Sequence, residues 1–471
     1  MSKRKATTAI PEPLEAYAEQ FDDLFSRVSQ REGFRQYLVG LLLPAERNKT
    51  LTGLVNAEPI VGAQAGRVQS LQWYLCESRW EWKQVNARRL ELLLKSATLK
   101  PKGNGVLVID ETGDRKDGHH TAHVGRQYLA NLGKIDNGVV SVSSLWADEQ
   151  VYYPLEVEPY TPAAWFEGGK TNLGFRTKLQ IAAQLVHQAV EKQVAFRVVV
   201  ADSFYGEDWG FREALDKLGV GYVLALKPSH SWWHHVSQIG SLQEYAHAQL
   251  WHSPQNSGQW VSITRTFRDG HCEQWWALEV LVPNAYGPEW ALRAVVVTTD
   301  PLQLPDNSTW YLLTNLPAPD SSRAAASPHA PADLAELVRL YGLRAWVEQS
   351  YKQVKYALGW ADYQVRSDVA IRRHWILVFC AFTFCWWQAQ PQLSVSLLTA
   401  HHALQPVNTT DSSAKKTPRP AAAVLAPSAT PSSGLARSLY HAQALLERLF
   451  TAAPAATYLG STQLALPRQP Y

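Results

Sequence analysis

The chain has 471 residues, of which 46% are hydrophobic and 18% are charged. This length predicts two or three domains with sizeable cores. The formal charge of +3 excludes a uniformly basic protein, so any nucleic-acid contact has to come from local patches. Four scattered cysteines favour a reducing, cytoplasmic compartment. The N-terminal residues lack an apolar signal core, and the longest apolar run, residues 375–387, is too short to span a bilayer, so we predict no membrane segment.

Residues 1–100 predict a helical domain. Apolar residues recur there at helical spacing, most clearly in 13–28, 32–43 and 70–95. Between residues 31 and 100 there are 11 Lys and Arg against 6 Asp and Glu. A basic helical module of this kind is typical of DNA binding. A helical domain with ordinary surface charge fits the same sequence, and both alternatives stay open.

In residues 101–228 the spacing of apolar residues changes from that of a helix to that of β-strands. Three strand-like runs precede the first long helix, and strands alternate with helices after it. In chain order the strands and helices are predicted at 105–110, 137–148, 150–162, 173–192 (helix), 195–206, 211–218 (helix) and 221–228. This order predicts an α/β fold, with a mixed sheet flanked by helices.

The region 229–333 predicts a β-rich insertion that is unusually rich in tryptophan. Aromatic side chains of this kind serve a core more often than a ligand. The insertion contains Trp232, Trp233, Trp251, Trp260, Trp275, Trp276, Trp290 and Trp310.

The α/β pattern resumes at 334–390. Residues 391–434 are rich in Pro, Ala and Ser and predict a flexible linker. Residues 435–471 predict a last helix, up to about residue 450, followed by a tail.

A helical segment after the insertion carries the most informative spacing. At about 100° per residue, Tyr341, Arg344, Glu348 and Lys355 fall on one stripe roughly 60° wide. The stripe combines a carboxylate, two cations and a phenol, which suits a metal ion beside a phosphate group. A solvated helix face with ordinary i,i+4 ion pairs has the same composition and is the alternative.

Two aspartates strengthen the metal hypothesis. Asp110 and Asp202 each end a predicted strand, a position where aspartate is often a turn residue. Together with Glu348 they could hold two Mg²⁺ ions, because hard cations prefer oxygen ligands. Two such ions stabilise the attacking and the leaving oxygen of an in-line displacement at phosphorus.

With these residues in view, the chain resembles the insertion-sequence transposases of the DDE superfamily. The family signature Y-x2-R-x3-E-x6-K fits Tyr341, Arg344, Glu348 and Lys355 without a gap. VLVIDETG at 106–113 resembles the first acid block, and VVVADSFYG at 198–206 resembles the second. A β-rich insertion before the third acid is also a family trait. The resemblance covers about residues 70–390.

The resemblance implies an RNase H-like core that cuts transposon ends and joins the freed 3′-hydroxyl to target DNA. It implies Asp110, Asp202 and Glu348 as catalytic metal ligands for two Mg²⁺ ions, for which Mn²⁺ can substitute. It further implies double-stranded DNA as the partner, with terminal inverted repeats and a target site, and a homodimer that joins two ends. Some relatives hold a flipped base in an aromatic pocket of the insertion, which suggests that role for one or two of its tryptophans.

Several basic residues are predicted to contact DNA. The resemblance assigns Tyr341, Arg344 and Lys355 to the transposon end, and Lys352 lies on the same helix. The segment 113–127 predicts a flexible loop beside the first acid that touches phosphate. The predicted DNA contacts are Tyr341, Arg344, Lys352, Lys355, Arg115, Lys116 and Arg126.

Three alternatives remain at this point. His119, His120 and His123 could form a zinc site, although no cysteine accompanies them. The chain could be a catalytically inactive descendant that only binds DNA, or an RNase H-like nuclease without strand transfer. Glu111 should point to the opposite face of its strand from Asp110, which predicts a structural role.

Overall fold

A computed structural model describes residues 10–43, 47–56, 66–235, 238–267, 270–281, 292–322 and 324–403. Its central feature is a ten-stranded mixed sheet flanked by helices, with a helical region at the N-terminus. The predicted fold class is therefore confirmed. The predicted helix near residues 434–450, and most of the predicted linker before it, lie outside the described residues.

The helices and strands have the following bounds. The helices are α1 (Glu12–Glu19), α2 (Val28–Leu42), α3 (Leu51–Leu54), α4 (Gly66–Gln72), α5 (Trp82–Lys95), α6 (Lys178–Glu191), α7 (Ser203–Gly206), α8 (Trp209–Lys217), α9 (Leu242–Ala248), α10 (Leu334–Gly342), α11 (Ala345–Lys352) and α12 (Asp368–Ala403). The strands are β1 (Val106–Arg115), β2 (Gly125–Leu129), β3 (Lys134–Ala147), β4 (Tyr152–Tyr160), β5 (Val198–Ala201), β6 (Tyr222–Ala225), β7 (Ser231–His235), β8 (Gln238–Ser241), β9 (Val261–Thr266), β10 (Cys272–Leu281), β11 (Arg293–Thr298) and β12 (Thr309–Thr314). Two π-helical turns lie at Trp73–Glu77 and Gln353–Ala357.

Five strands of the ten-stranded sheet lie in the order β4-β3-β1-β5-β6. β1 pairs with β3 in antiparallel fashion over its whole length and with β5 in parallel, and β5 pairs in parallel with β6. Residues 106–109 and 198–201 are buried, as expected for central strands that are covered on both faces. This order, an antiparallel meander followed by two parallel strands, is that of an RNase H-like sheet.

The first strand is longer than the sequence predicts. The apolar run ends at Asp110, but β1 continues to Arg115, so Asp110 lies in the middle of the strand. The reason is the partner strand: β3 pairs with β1 from Val106↔Ala147 to Arg115↔Gly138, and this pairing satisfies the backbone of the polar residues after Asp110.

The insertion continues the same sheet. β12 pairs in antiparallel fashion with β6, and β11, β10 and β9 follow in that order. β7 and β8 form a separate two-stranded sheet. One face of the inserted strands contributes to a second core with α9, which includes Trp260 and Trp276.

The N-terminal helices pack in the main core beside α12. The Tyr17 hydroxyl donates to the backbone oxygen of Cys380, and the Tyr37 hydroxyl lies 2.7 Å from His374 Nδ1. α12 is long and apolar enough to cross a membrane, but 89% of the residues in its apolar 18-residue window are buried inside the protein. It is therefore a core helix.

The last described helix also corrects the predicted linker. α12 continues to Ala403, so residues 391–403 are helical where the sequence predicts a flexible segment. Pro391 interrupts the helical hydrogen bonding only locally. The residues that follow it are free of glycine up to the end of the helix, so the helix can continue.

Candidate active site

Asp110 and Asp202 lie side by side on neighbouring parallel strands. The parallel register runs through Val108↔Val200, so Asp110 on β1 is level with Asp202, which directly follows β5. Asp202 caps the short helix α7, and its Oδ1 accepts the Phe204 backbone N–H at 3.0 Å. Asp110 Oδ1 accepts the N–H of Glu111 at 2.7 Å. Each aspartate therefore keeps a second oxygen for another partner.

The segment that carries the signature is helical but not a single uniform α-helix. α10 ends at Gly342 and α11 begins at Ala345. Between them the backbone bonds tighten to i→i+3 spacing, as from Arg344 N–H to the Tyr341 oxygen at 2.9 Å. A π-turn then widens the helix at Gln353–Ala357. Tightening and widening shift the angular positions that a regular helix predicts.

The insertion comes close to the helix at Gly342, where α10 ends. A side-chain carbon placed on Gly342 would lie only 2.9 Å from Arg265 Nη2. A larger residue at this position would therefore have to displace the Arg265 guanidinium. The glycine lets the acid-bearing helix and the insertion meet closely.

Arg344 lies at the centre of the three acids. Its Nη2 is 2.9 Å from Asp110 Oδ2 and 3.9 Å from Asp202 Oδ2. Its Nη1 is 3.6 Å from Glu348 Oε1. The structure thus brings Asp110, Asp202 and Glu348 together, although 92 and 146 residues separate them along the chain.

The electrostatics of this cluster are dominated by burial. The pKa of Asp110 is raised to about 7, chiefly by burial and also by the nearby Asp202 carboxylate, against the opposing effect of Arg344. Burial also raises the pKa of Tyr341 to about 12. Burial would lower the pKa of Arg344, but Asp110, Tyr341 and Asp202 together hold it above its usual value. The guanidinium therefore stays charged.

The donor set fits a hard divalent cation. Three carboxylates converge, and Glu348 is 64% exposed at the open side of the cluster. Among the described residues, however, no three acidic, histidine or cysteine side chains surround a single point. The guanidinium of Arg344 stands between the acids. A bound cation would take over carboxylate contacts that the guanidinium now makes.

The two lysines of the helix have different environments. Lys355 Nζ lies 2.7 Å from Asp114 Oδ1 and donates to the Gly113 oxygen at 3.0 Å. Lys352 is exposed, on the same side of α11 as Glu348. The structure thus turns Lys355 towards β1 and leaves Lys352 at the surface.

The segment 113–127 is anchored at several points, contrary to the predicted flexible loop. Lys116 Nζ donates to the backbone oxygens of Ala361 and Tyr363 and lies 3.4 Å from the centre of the Tyr363 ring. His123 Nε2 is 2.7 Å from Asp368 Oδ1. These contacts to the start of α12 fix a segment whose sequence, rich in Gly, His and charge, carries no sign of its tertiary partners.

The other basic residues of this segment are at the surface. Arg115 pairs with Asp117 at 3.1 Å, and Arg126 is exposed on β2. His119 and His120 are exposed, and no zinc cluster is present among the residues that the structure describes. Glu111 pairs with Lys178 at 2.7 Å, in the structural role that the strand alternation predicts.

An aromatic cluster of the insertion lies against Tyr341. The rings of Trp310 and Tyr341 meet edge to face with centroids 5.1 Å apart, and Trp275 is 4.6 Å from Trp310. The guanidinium of Arg265 lies over these tryptophans, 5.0 Å from the Trp310 ring. Trp232, Trp233 and Trp290 have no described side chains.

Sequence patterns did not identify three of the groups around the acid-bearing helix. Arg265 shares a face of β9 with the buried Ile263, and nothing in the sequence connects it to Tyr341. Tyr351 donates to or accepts from Ser143 Oγ at 2.7 Å, next to Asp110. Asp114 could have been suspected, because strand alternation puts it on the same face as Asp110.

Comparison with known proteins shows the family to which the chain belongs. Residues 20–253 match a family described as DDE superfamily endonuclease, and residues 174–384 match one described as Transposase DDE domain. A protein of Microchaete diplosiphon, named "Probable transposase for insertion sequence element IS701", is 33% identical over 353 residues, which make up 75% of this chain and 81% of that protein. The matches confirm the resemblance seen in the sequence, and the chain belongs to the DDE transposases.

Proposed function

We propose that the chain cleaves DNA at the ends of an insertion sequence and joins the freed 3′-hydroxyl to target DNA. The observation that carries this proposal is the convergence of Asp110, Asp202 and Glu348 on Arg344. Three carboxylates at one open site have little value for stability, because like charges repel. Their value lies in binding cations and a phosphodiester.

Nucleases of the DDE superfamily generally use divalent metal ions. Asp110, Asp202 and Glu348 would hold two Mg²⁺ ions, or Mn²⁺ in their place. When bound, such ions activate water or a 3′-hydroxyl and neutralise charge on the leaving oxygen. Arg344, released from some carboxylate contacts, would be free to take a non-bridging phosphate oxygen with its planar fork.

The exposed cations around the acids suit the DNA backbone. Lys352 follows Glu348 by one helical turn, and both are exposed. Arg115 at the end of β1 and Arg126 on β2 are also exposed, and they flank the segment that follows the first acid. We propose these three as phosphate contacts. Lys116 is held by backbone oxygens, and we propose that it positions this segment beside the DNA.

The aromatic cluster beside Tyr341 suits a displaced base. Trp310 is half-buried, and Arg265 holds a cation over its ring. Bases stack on aromatic faces irrespective of sequence, and an arginine adds a cation–π contribution. We propose that Trp310 and Tyr341 contact the end of the transposon strand close to the cleavage point.

Joining two ends to one target requires two active sites, so we propose a homodimer on paired terminal inverted repeats. The protein would act in the cytoplasm on nucleoid DNA. A purely binding descendant would have no need for a buried aspartate with a raised pKa beside a second carboxylate.

The test uses the purified chain, labelled duplexes that carry the terminal inverted repeats of its own element, and Mg²⁺. We expect nicking at the 3′ ends and joining to a target plasmid. Asp110→Ala, Asp202→Ala and Glu348→Ala should each abolish both reactions and preserve duplex binding. Asp216→Ala, which changes a carboxylate on α8 outside the cluster, is the matched control and should retain activity.

Each outcome has a definite meaning. Binding of the duplex without cleavage by the native chain would refute the proposed enzyme activity. Cleavage without joining would indicate an RNase H-like nuclease instead of a transposase. Cleavage that survives the three substitutions would refute the assignment of the acids.

A further inference from the structure

A second aspartate lies on the same face of β1 as the first acid. Asp110, Thr112 and Asp114 alternate along the strand, so they share one face, and all three are buried. Asp110 and Asp114 are separated by about 13 Å of strand. The proposed chemistry uses Asp110 and has no role for Asp114. Burial of a carboxylate costs free energy, so we expect Asp114 to have a function.

The partner of Asp114 is the lysine of the signature. Lys355 Nζ lies 2.7 Å from Asp114 Oδ1, and the two side chains are 14% and 3% exposed. The ammonium also donates to the backbone oxygen of Gly113. Two of its three N–H groups are therefore used inside the protein. This environment is that of an internal anchor, whereas a phosphate contact needs an accessible ammonium, such as that of Lys352.

The acid-bearing helix is fastened to the sheet on both sides of Glu348. Arg344 pairs with Asp110 before it, and Lys355 pairs with Asp114 after it. Between these pairs the Tyr351 hydroxyl lies 2.7 Å from Ser143 Oγ, and Ser143 is the cross-strand partner of Asp110. The helix therefore follows β1, with one ion pair near each end of the contact.

The π-turn at Gln353–Ala357 belongs to the same attachment. It contains Lys355, and Gln353 accepts a hydrogen bond from the Tyr152 hydroxyl at 2.9 Å. π-turns are rare, and they are frequently found at functional sites. Here the π-turn coincides with the point where the lysine reaches the strand.

We propose that Asp114 is a positioning residue of the metal site. Its pair with Lys355 holds the helix against β1 and thereby sets the distance between Glu348 and Asp110. The inference rests on the proposed function, because the positioned group is the third metal ligand. Loss of either member of the pair should therefore weaken metal binding.

The test compares Asp114→Asn, Lys355→Met, the double variant and Lys355→Arg in the full chain. Lys95→Met is the matched control, since it breaks an exposed lysine–glutamate pair of 2.5 Å on α5. Mn²⁺ binding is measured directly by electron paramagnetic resonance. Affinity for the terminal-repeat duplex is measured by fluorescence anisotropy in Ca²⁺ over a range of salt concentrations, and folding by thermal unfolding.

Asp114→Asn and Lys355→Met should each weaken Mn²⁺ binding by roughly tenfold or more, the loss found when groups that orient metal ligands are removed. The double variant should bind no more weakly than either single variant, because the two side chains act as one pair. Lys355→Arg retains the charge and should bind Mn²⁺ nearly as the native chain does. Duplex affinity and its salt dependence should stay unchanged in Asp114→Asn and in the Lys95→Met control.

Two results would overturn the proposal. In the first, Lys355→Met weakens duplex binding and lowers the salt slope by about one, while Asp114→Asn leaves both duplex binding and Mn²⁺ binding unchanged. Lys355 would then be a phosphate contact. In the second, the pair variants lower the unfolding temperature without any change in Mn²⁺ binding, and the pair is then only structural.

Variants that fail to fold are replaced by Asp114→Glu, which keeps the charge and moves the carboxylate by one methylene. This variant should fold and still weaken Mn²⁺ binding, and native-like binding would overturn the proposal. Failure of the native chain to cut DNA would refute the proposed function. It would leave the Mn²⁺ comparison intact, so the two failures are distinguishable.

Discussion

Arg344 holds together three carboxylates that would otherwise repel one another. Its two terminal nitrogens divide the acids between them, with both aspartates at Nη2 and Glu348 at Nη1. A lysine could supply the positive charge, but its ammonium has one nitrogen and could not contact the aspartates and Glu348 from two separate nitrogens. Planarity as well as charge should therefore matter at this position.

Arg344→Lys should lower the rate of end cleavage by about 100-fold, the size of effect found when one preorganised electrostatic group is lost from an active site. The measurement is single-turnover cleavage with saturating duplex and metal. Arg339→Lys is the matched control, because Arg339 lies on the neighbouring α10 and pairs with Glu149 at the surface. Equal losses in both variants would contradict a special role for Arg344.

Trp310 is expected to contribute to binding of the terminal duplex. Trp310→Ala should weaken binding of the terminal duplex by about 1–3 kcal/mol, the range found for base–aromatic stacking. Trp251 is a matched control, since it is also half-buried in the insertion but packs on Trp276 in the second core. Trp251→Ala should leave duplex binding unaltered. Competition between terminal-repeat and unrelated duplexes measures both.

The residue types of the site were predictable, whereas their contacts were not. The spacing of Tyr341, Arg344 and Glu348 indicated a shared helix face, and the structure places all three near the two aspartates. Lys355 was predicted on that same face, but its pair with Asp114 of β1 was not. A π-turn and a tightened turn depend on tertiary partners such as Arg265, which no helical periodicity encodes.

At the scale of elements, α2 and α12 are joined through a buried histidine. His374 Nδ1 lies 2.7 Å from the Tyr37 hydroxyl, and its Nε2 is close to the backbone oxygens of Gly359 and Trp360. Burial lowers the pKa of His374 to about 4. The folded protein therefore keeps this ring neutral at a pH where the unfolded chain protonates it.

This difference between the folded and the unfolded state makes the stability of the protein depend on pH. Between pH 6.5 and 4 the unfolded state binds the extra proton, so stability is present at neutral pH and is lost as the pH falls through this window. The native chain should lose about 2 kcal/mol through this group between pH 7 and pH 5. His374→Gln should remove that part of the loss.

Chemical unfolding at pH 7, 6 and 5 checks this prediction. His187 on α6 provides the control, because it is about half exposed. His187→Gln should leave the pH dependence of stability as it is in the native chain. If His374→Gln also leaves the pH dependence of stability unchanged, the histidine does not govern the docking of α2 on α12.

The whole molecule has one main core from the N-terminal helices to α12. Residues of α1 and α2, of the catalytic strands and of α12 belong to one cluster of buried side chains. The sequence predicted the order of strands and helices from their periodicities, and this order implied the α/β class. It did not predict that the insertion would extend the sheet, because the pairing of β12 with β6 is a contact between residues about 90 apart.

A shared core predicts a single cooperative unfolding transition. Phe21→Ala in the N-terminal part and Leu185→Ala on α6 should each destabilise the protein by about 2–5 kcal/mol, because both side chains are fully buried. Each should lower the temperature of that one transition in differential scanning calorimetry. A separate early transition in the Phe21 variant would show that the N-terminal helices unfold on their own.

The continuity of the sheet limits how this protein can be recombined with its relatives. β12 covers the edge of β6 in the register Leu313↔Leu224, and the chain then runs through residues 315–333 into α10 and the third acid. An insertion taken from another element would have to restore that register and also deliver the helix to β1. Exchange between lineages is therefore expected to transfer the stretch from β6 to the π-turn as one cassette, with its crossover points outside it.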